Sequence, residues 1–201
     1  MRNRVAWGLV VVLAAAVQAL AASSVARGRD LAPFTVSVKA KQWVVTLTPS
    51  LQRTIAERFP GYALPRSEWF EHIFQPGVEK GVTGPPFACT GDFDRNGLTD
   101  AILILQKQRK QWLLVAFNQT TQGTFNPHVL LRFSGNELEK QDDRDGYPPG
   151  YGLHIDLCAR REGKLVAGQA GDAIQFWLDS GDSAFYYYRR DGYHRLYYYG
   201  E

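Results

Sequence analysis

The chain has 201 residues, with 23 Lys and Arg against 20 Asp and Glu, for a formal net charge of +3. Without residues 1–21, which carry Arg2 and Arg4, it is a near-neutral 180-residue chain, long enough for one domain with a real core. That balance gives no electrostatic basis for binding nucleic acid, and the two cysteines, Cys89 and Cys158, have no CxxC or histidine spacing that suggests zinc.

The N-terminus begins with Arg2 and Arg4, followed by an uncharged, largely apolar core from Val5 to Val17 and the small-residue site Ala19-Leu20-Ala21. This pattern predicts a signal peptide over residues 1–21 and an exported protein, periplasmic or secreted. The apolar core is short for a membrane span, which needs about 20 residues, so no stable span is expected after cleavage. An uncleaved anchor running to Ala26 is the alternative. Residues 22–33 read as a mobile lead-in and 34–201 as a single β-rich domain: mostly β, an antiparallel sheet or meander with one or two short N-terminal helices.

Phe34, Val36 and Val38 alternate with polar residues as in a half-buried strand, and Trp43 to Leu47 supplies a partner. Thr48-Pro49 is a helix start, a capping residue before proline at the first helical position. Leu51, Ile55 and Phe59 form the helix's apolar stripe, which stops at Pro60-Gly61. A second short helix is expected over Ser67 to Phe74, then a glycine- and proline-rich linker over Gly77 to Pro86.

The segment Gly91-Asp92-Phe93-Asp94-Arg95-Asn96-Gly97-Leu98-Thr99-Asp100 is the most informative in the chain. Asp92, Asp94, Asn96 and Asp100 occupy positions 1, 3, 5 and 9 of a tight loop, with Gly97 at position 6 where a sharp reversal needs glycine. This is how a short backbone wraps a hard cation, and the Leu98 carbonyl would join the four side chains as a ligand. Ca2+ is the expected cofactor, bound with an affinity on the order of 10⁻⁴ to 10⁻³ M, as in extracellular modules. Position 12 is Leu103, not the Glu of a helix–loop–helix calcium hand, and Ala101 to Leu105 reads as a buried strand. A strand–loop–strand site is therefore expected.

Gly-Asp-Phe-Asp-x-Asn-Gly-x-x-Asp followed by an aliphatic strand resembles the calcium loop of FG-GAP, or VCBS-type integrin-like, repeats. The resemblance assigns the metal to Asp92, Asp94, Asn96, the Leu98 carbonyl and Asp100. A wider likeness, over about residues 49–201, is to small exported bacterial proteins with a single such loop. It rests on Phe59-Pro60-Gly61-Tyr62, Asp172-Ala173-Ile174 and an aromatic terminal hairpin. The chain carries one full copy of the loop, whereas propellers repeat their unit in roughly 4–8 blades. It also lacks the Phe-Gly and Gly-Ala-Pro elements that name the repeat.

From Phe87 onward the pattern is antiparallel β. Ala101 to Gln106 and Trp112 to Asn118 flank a polar tip at Lys107, Arg109 and Lys110, and Val129 to Phe133 continues the meander. Ser134 to Gly150 is a long polar loop whose Asp142, Asp143 and Asp145 read as solvated. Leu153 to Cys158 pairs with Lys164 to Gln169, and Ile174, Phe176 and Leu178 share a strand face. In an oxidising compartment Cys89 and Cys158 would form one disulfide, the alternative being two buried thiols.

The terminal hairpin, Ala184 to Tyr199, is read with Asp191-Gly192 as its two-residue turn. Phe185, Tyr187, Leu196 and Tyr198 then fall on one face, expected to pack inward. Tyr186, Tyr188, Arg190, Tyr193, Arg195, Tyr197 and Tyr199 fall on the other, a candidate partner surface or a stabilising cross-strand ladder.

Catalytic constellations are scarce: no Gly-x-Ser-x-Gly, no phosphate loop and no His-Glu-x-x-His. His154 and Asp156 share a strand face near Asp172, which an exposed polar face explains more simply than acid–base chemistry. These features point to a calcium-stabilised, non-catalytic binding or envelope-associated module, with an unidentified envelope polymer or protein as partner. The rival is an exported hydrolase with a Ca2+-ordered active-site loop.

Overall fold

The computed structural model describes residues 31–70, 74–78, 84–134, 154–157, 172–177 and 182–199. The expected signal peptide, most of the lead-in, the acidic segment 134–150 beyond Ser134, and the expected strand over 164–169 lie outside these residues. The described residues are mostly antiparallel strand with one α-helix.

The chain opens with a hairpin, β1 (Phe34–Lys39) and β2 (Gln42–Leu47). Its turn places Ala40 and Lys41 at φ 52° and 60°, the left-handed pair that matches the twist of adjoining strands. Phe34 is buried, and Trp43, Val45 and Leu47 pack on the main core. Helix α1 (Pro49–Arg58) follows at once, with the Thr48 hydroxyl accepting from the Leu51 N–H as its cap. Leu51 and Ile55 are its buried stripe, and Phe59 meets Phe117 edge-on. The second expected helix is a single 3-10 turn, Ser67–Trp69. The Ser67 hydroxyl takes the Trp43 N–H there, tying the segment to the first hairpin instead of extending it as a helix.

The first sheet has the order β3 (Ala88–Gly91), β4 (Asp100–Lys107), β5 (Gln111–Gln119), β6 (Phe125–Ser134). It is the middle of the molecule. The helix packs on β6 from one side, while the second sheet lies on the other through contacts such as Phe133 with Phe176 and His128 with Tyr193. Burial on both faces explains why Ala101 to Leu105 is a continuous apolar run without polar alternation. The β4–β5 turn falls at the expected basic tip, with Gln108 and Arg109 both at positive φ. Strand β6 is longer than expected and includes Pro127, which an edge strand tolerates because it needs no outward ladder bond. A bulge opposite Leu114 and Val115 absorbs one extra β6 residue.

The second sheet runs β10 (Gly192–Tyr199), β9 (Asp182–Arg189), β8 (Ile174–Trp177), β7 (His154–Leu157). Strand β7 pairs with β8, and it also lies beside β3 of the first sheet. The terminal hairpin differs from expectation in its turn. Arg189 pairs with Gly192, so Arg190 and Asp191 form the tip and Tyr193 opposes Tyr188. Neither tip residue has positive φ; Gly192, at 129°, supplies it just after the turn. The shift is even, so each residue keeps its expected face.

Candidate metal centre

The acidic loop joins β3 to β4 on the central sheet, with Gly91 closing one strand and Asp100 opening the next. Phe93 and Leu98 are buried and anchor it to the core. Between these anchors the backbone turns through Arg95 (φ 64°) and Gly97 (φ 78°). Side-chain oxygens hold the turn: Asp92 Oδ2 accepts from the Gly97 N–H (3.1 Å), Asp94 Oδ1 from the Asn96 N–H (3.1 Å), and Asn96 Oδ1 from the Leu98 N–H (2.7 Å). Such Asx turns are why Asp and Asn at alternate positions bend this segment locally.

Asp100 is completely buried. Its Oδ1 accepts from the Gln119 N–H (2.7 Å), and its Oδ2 from the N–H groups of Phe93 (3.0 Å) and Asp94 (3.3 Å). Burial, reinforced by the nearby Asp94 charge, pushes its carboxyl up to about 7 despite those three donors. Carboxylate oxygens of Asp92, Asp94 and Asp100 gather within 4.8 Å of one another. Among the described residues no Lys, Arg or His forms an ion pair with any of them. Asp92 Oδ1 is buried without a hydrogen-bond partner. An all-oxygen set with an orphaned carboxylate oxygen fits a hard divalent cation.

The structure therefore brings together three of the five expected ligands. Asn96 lies alongside, but its Nδ2 donates to Asp94 Oδ2 (3.2 Å) and to the Gln119 carbonyl (2.7 Å), while its Oδ1 is used by Leu98. Leu98 contributes its buried side chain and that N–H contact.

Three residues outside the loop bond to it directly, Asn118, Gln119 and Asp172, with Tyr193 and His128 behind them. Asn118, near the end of β5, donates through Nδ2 to Asp94 Oδ2 (2.9 Å) and accepts at Oδ1 from the Tyr193 hydroxyl (2.7 Å). Burial, with Asp100 and Asp94 adding to it, raises the Tyr193 phenol above its ordinary range, so it remains a donor. Gln119 supplies both backbone groups described above. Asp172 Oδ2 accepts from the Asp92 N–H (2.8 Å), and the Asp172 N–H reaches the Asp92 carbonyl (3.4 Å). His128 stands against the Tyr193 ring at 5.5 Å, and burial lowers its imidazole pKa, partly opposed by Asp94.

The aromatic hairpin corrects an expectation. Its tyrosine face turns inward: Ala184 and Tyr186 belong to the main core and Tyr193 packs against it, whereas Leu196 is 42% exposed. Phe185 is buried too, but in a separate small cluster with Ala173 and Tyr187. Tyrosine rings carry large apolar bodies and can be buried once their hydroxyls are served. Asn118 serves Tyr193, and Arg195, opposite Tyr186 across the ladder, offsets the upward pull of burial on that phenol. Tyr188 meets Tyr193 edge-on at 5.1 Å, so these half-buried rings form a cross-strand ladder. Arg190 and Arg195 are exposed, and the side chains of Tyr197 and Tyr199 lie outside the described residues.

Asp172 is committed to the acidic loop; the side chains of His154 and Asp156, expected with it on one polar face, lie outside the described residues. Cys89 sits in β3, and Cys158, outside the described residues, follows the last residue of β7.

No family model, curated protein or solved structure matches the chain.

Proposed function

We propose that this protein is an exported, calcium-stabilised, non-catalytic module that binds a cell-envelope polymer or protein. The carboxylate cluster carries the calcium part of this reading: three acidic side chains meet within 4.8 Å, one fully buried, with no cationic side chain paired to them among the described residues. Asp92, Asp94 and Asp100 would hold the ion, with Asn96 and the Leu98 carbonyl completing the shell. The bound cation supplies the countercharge that lets a buried carboxylate stay ionised. Export rests on the basic, apolar and small-residue pattern of residues 1–21.

The test uses the mature chain in about 10 mM calcium or in chelator. With a Kd of roughly 10⁻⁴ to 10⁻³ M, mass action stabilises the fold by about 1.4–2.7 kcal/mol. For a domain of this size that raises Tm by roughly 3–10 °C. An unchanged Tm, with Asp94→Ala equally indifferent, would remove the cation from the account. Incubation with envelope polymers then separates module from hydrolase: retention without turnover supports the former, turnover the latter.

A further inference from the structure

We propose that the cation loop is a latch that fastens the second sheet onto the first, so that occupancy of the site sets how firmly strands β8 to β10 are docked. This inference rests on the reading of the loop as a cation site. Two polar links run from the loop to the second sheet. One joins the Asp92 backbone to Asp172, two residues before β8, through the 2.8 Å bond to Oδ2 and the returning 3.4 Å bond. The other passes from Asp94 Oδ2 through the Asn118 side chain to the Tyr193 hydroxyl on β10, by bonds of 2.9 and 2.7 Å.

Both links end on members of the carboxylate cluster, and they end on the two that lie in the turn and not in a strand. Asp100 is fully buried at the start of β4 and pinned by three backbone N–H groups. Asp92 and Asp94 are only partly buried and sit in the turn. Without a cation, Asp92 and Asp94 repel each other, and the repulsion is relieved by displacing them while Asp100, pinned by its backbone donors, stays fixed. That displacement pulls on Asp172 and on Asn118, and so on the second sheet. A bound cation reverses it. The buried, partnerless Asp92 Oδ1 is a second indication that this carboxylate is placed for a ligand and not for a protein donor. Because coupling is reciprocal, weakening either link must weaken cation binding.

Hydrogen exchange and calorimetric calcium titration on the mature chain test the latch together. Calcium should slow exchange of the β8–β10 amides several-fold more than that of the α1 amides, which touch neither link. Tyr193→Phe should bind calcium roughly 5-fold more weakly or worse, the lower end of ordinary coupling between sites. If Tyr193→Phe does not fold, Asp172→Ala, which cuts the other link, carries the same expectation. Wild-type calcium binding with no selective slowing in β8–β10, or with unchanged affinity in the folded variant, overturns the latch and leaves the site standing. No calcium binding at all overturns the site reading and the latch with it.

Discussion

Gly91→Ala probes the junction between loop and second sheet with one methyl group. A Cβ built on Gly91 would lie 2.5 Å from Asp172 Oδ2, 2.9 Å from Phe93 Cζ and 3.1 Å from Phe93 Cε1. Phe93 is only 1% exposed and has no room to retreat, so Asp172 must move and release the Asp92 N–H. Losing a hydrogen bond to a charged acceptor costs about 1.5–3 kcal/mol, and forcing a methyl against a packed ring about 1–3 kcal/mol more. Alanine recovers roughly 0.5–1 kcal/mol over glycine through the unfolded state. The net loss is about 2–5 kcal/mol, a fall in Tm of roughly 4–20 °C. Urea denaturation of the single variant, of Asp172→Ala, and of the double variant measures it as a cycle. In the Asp172→Ala background the alanine at position 91 should cost distinctly less, since only the Phe93 clash remains. A neutral Gly91→Ala, or an equal cost in both backgrounds, would show that the Asp172 contact is not what requires glycine.

A further outcome follows from the same geometry. Asp100 holds its proton up to about pH 7 in the fold against 3.8 for an ordinary Asp, so between those values the folded state binds a proton that the unfolded state lacks. Its contribution to stability in chelator therefore falls as pH rises from about 4 to about 7, and the gap between calcium and chelator midpoints widens over that range. A gap that is constant with pH contradicts the placement of Asp100 among the ligands. Separately, export and the count of two cysteines predict a Cys89–Cys158 bridge, so thiol titration of denatured, unreduced exported protein should find no free thiol; two titratable thiols refute it.

What was legible in the sequence was local. The helix start at Thr48-Pro49 is a short-range cap, and the buried run from Ala101 to Leu105 is long and apolar enough to declare itself. The loop was legible because each Asx residue bends its own neighbourhood, and three of its five expected ligands do converge. Asn96 differs because its amide is recruited by the Gln119 carbonyl, a contact across 23 positions that spacing within the loop cannot anticipate. The same holds for Asp172, 80 positions from Asp92, and for Tyr193, 75 positions from the Asn118 that links it to the loop. The hairpin's inward face is not legible from side-chain apolarity alone, because it depends on the partner that Asn118, distant in sequence, provides for the Tyr193 phenol. Its register moved because Gly192 takes up positive φ after the turn and not within it.

The most direct test of the cation site is calorimetric titration of calcium into the mature chain and into Asp92→Asn. In that variant the amide oxygen can keep the Gly97 N–H while the –NH2 occupies the position of the partnerless Oδ1, so the fold is retained and a ligand oxygen is replaced by a donor. The account predicts one site in the wild type with a Kd on the order of 10⁻⁴ to 10⁻³ M, and binding weakened at least about tenfold in the variant with its chelator Tm unchanged. Equal affinity in the two proteins, or no binding heat in the wild type, would contradict it.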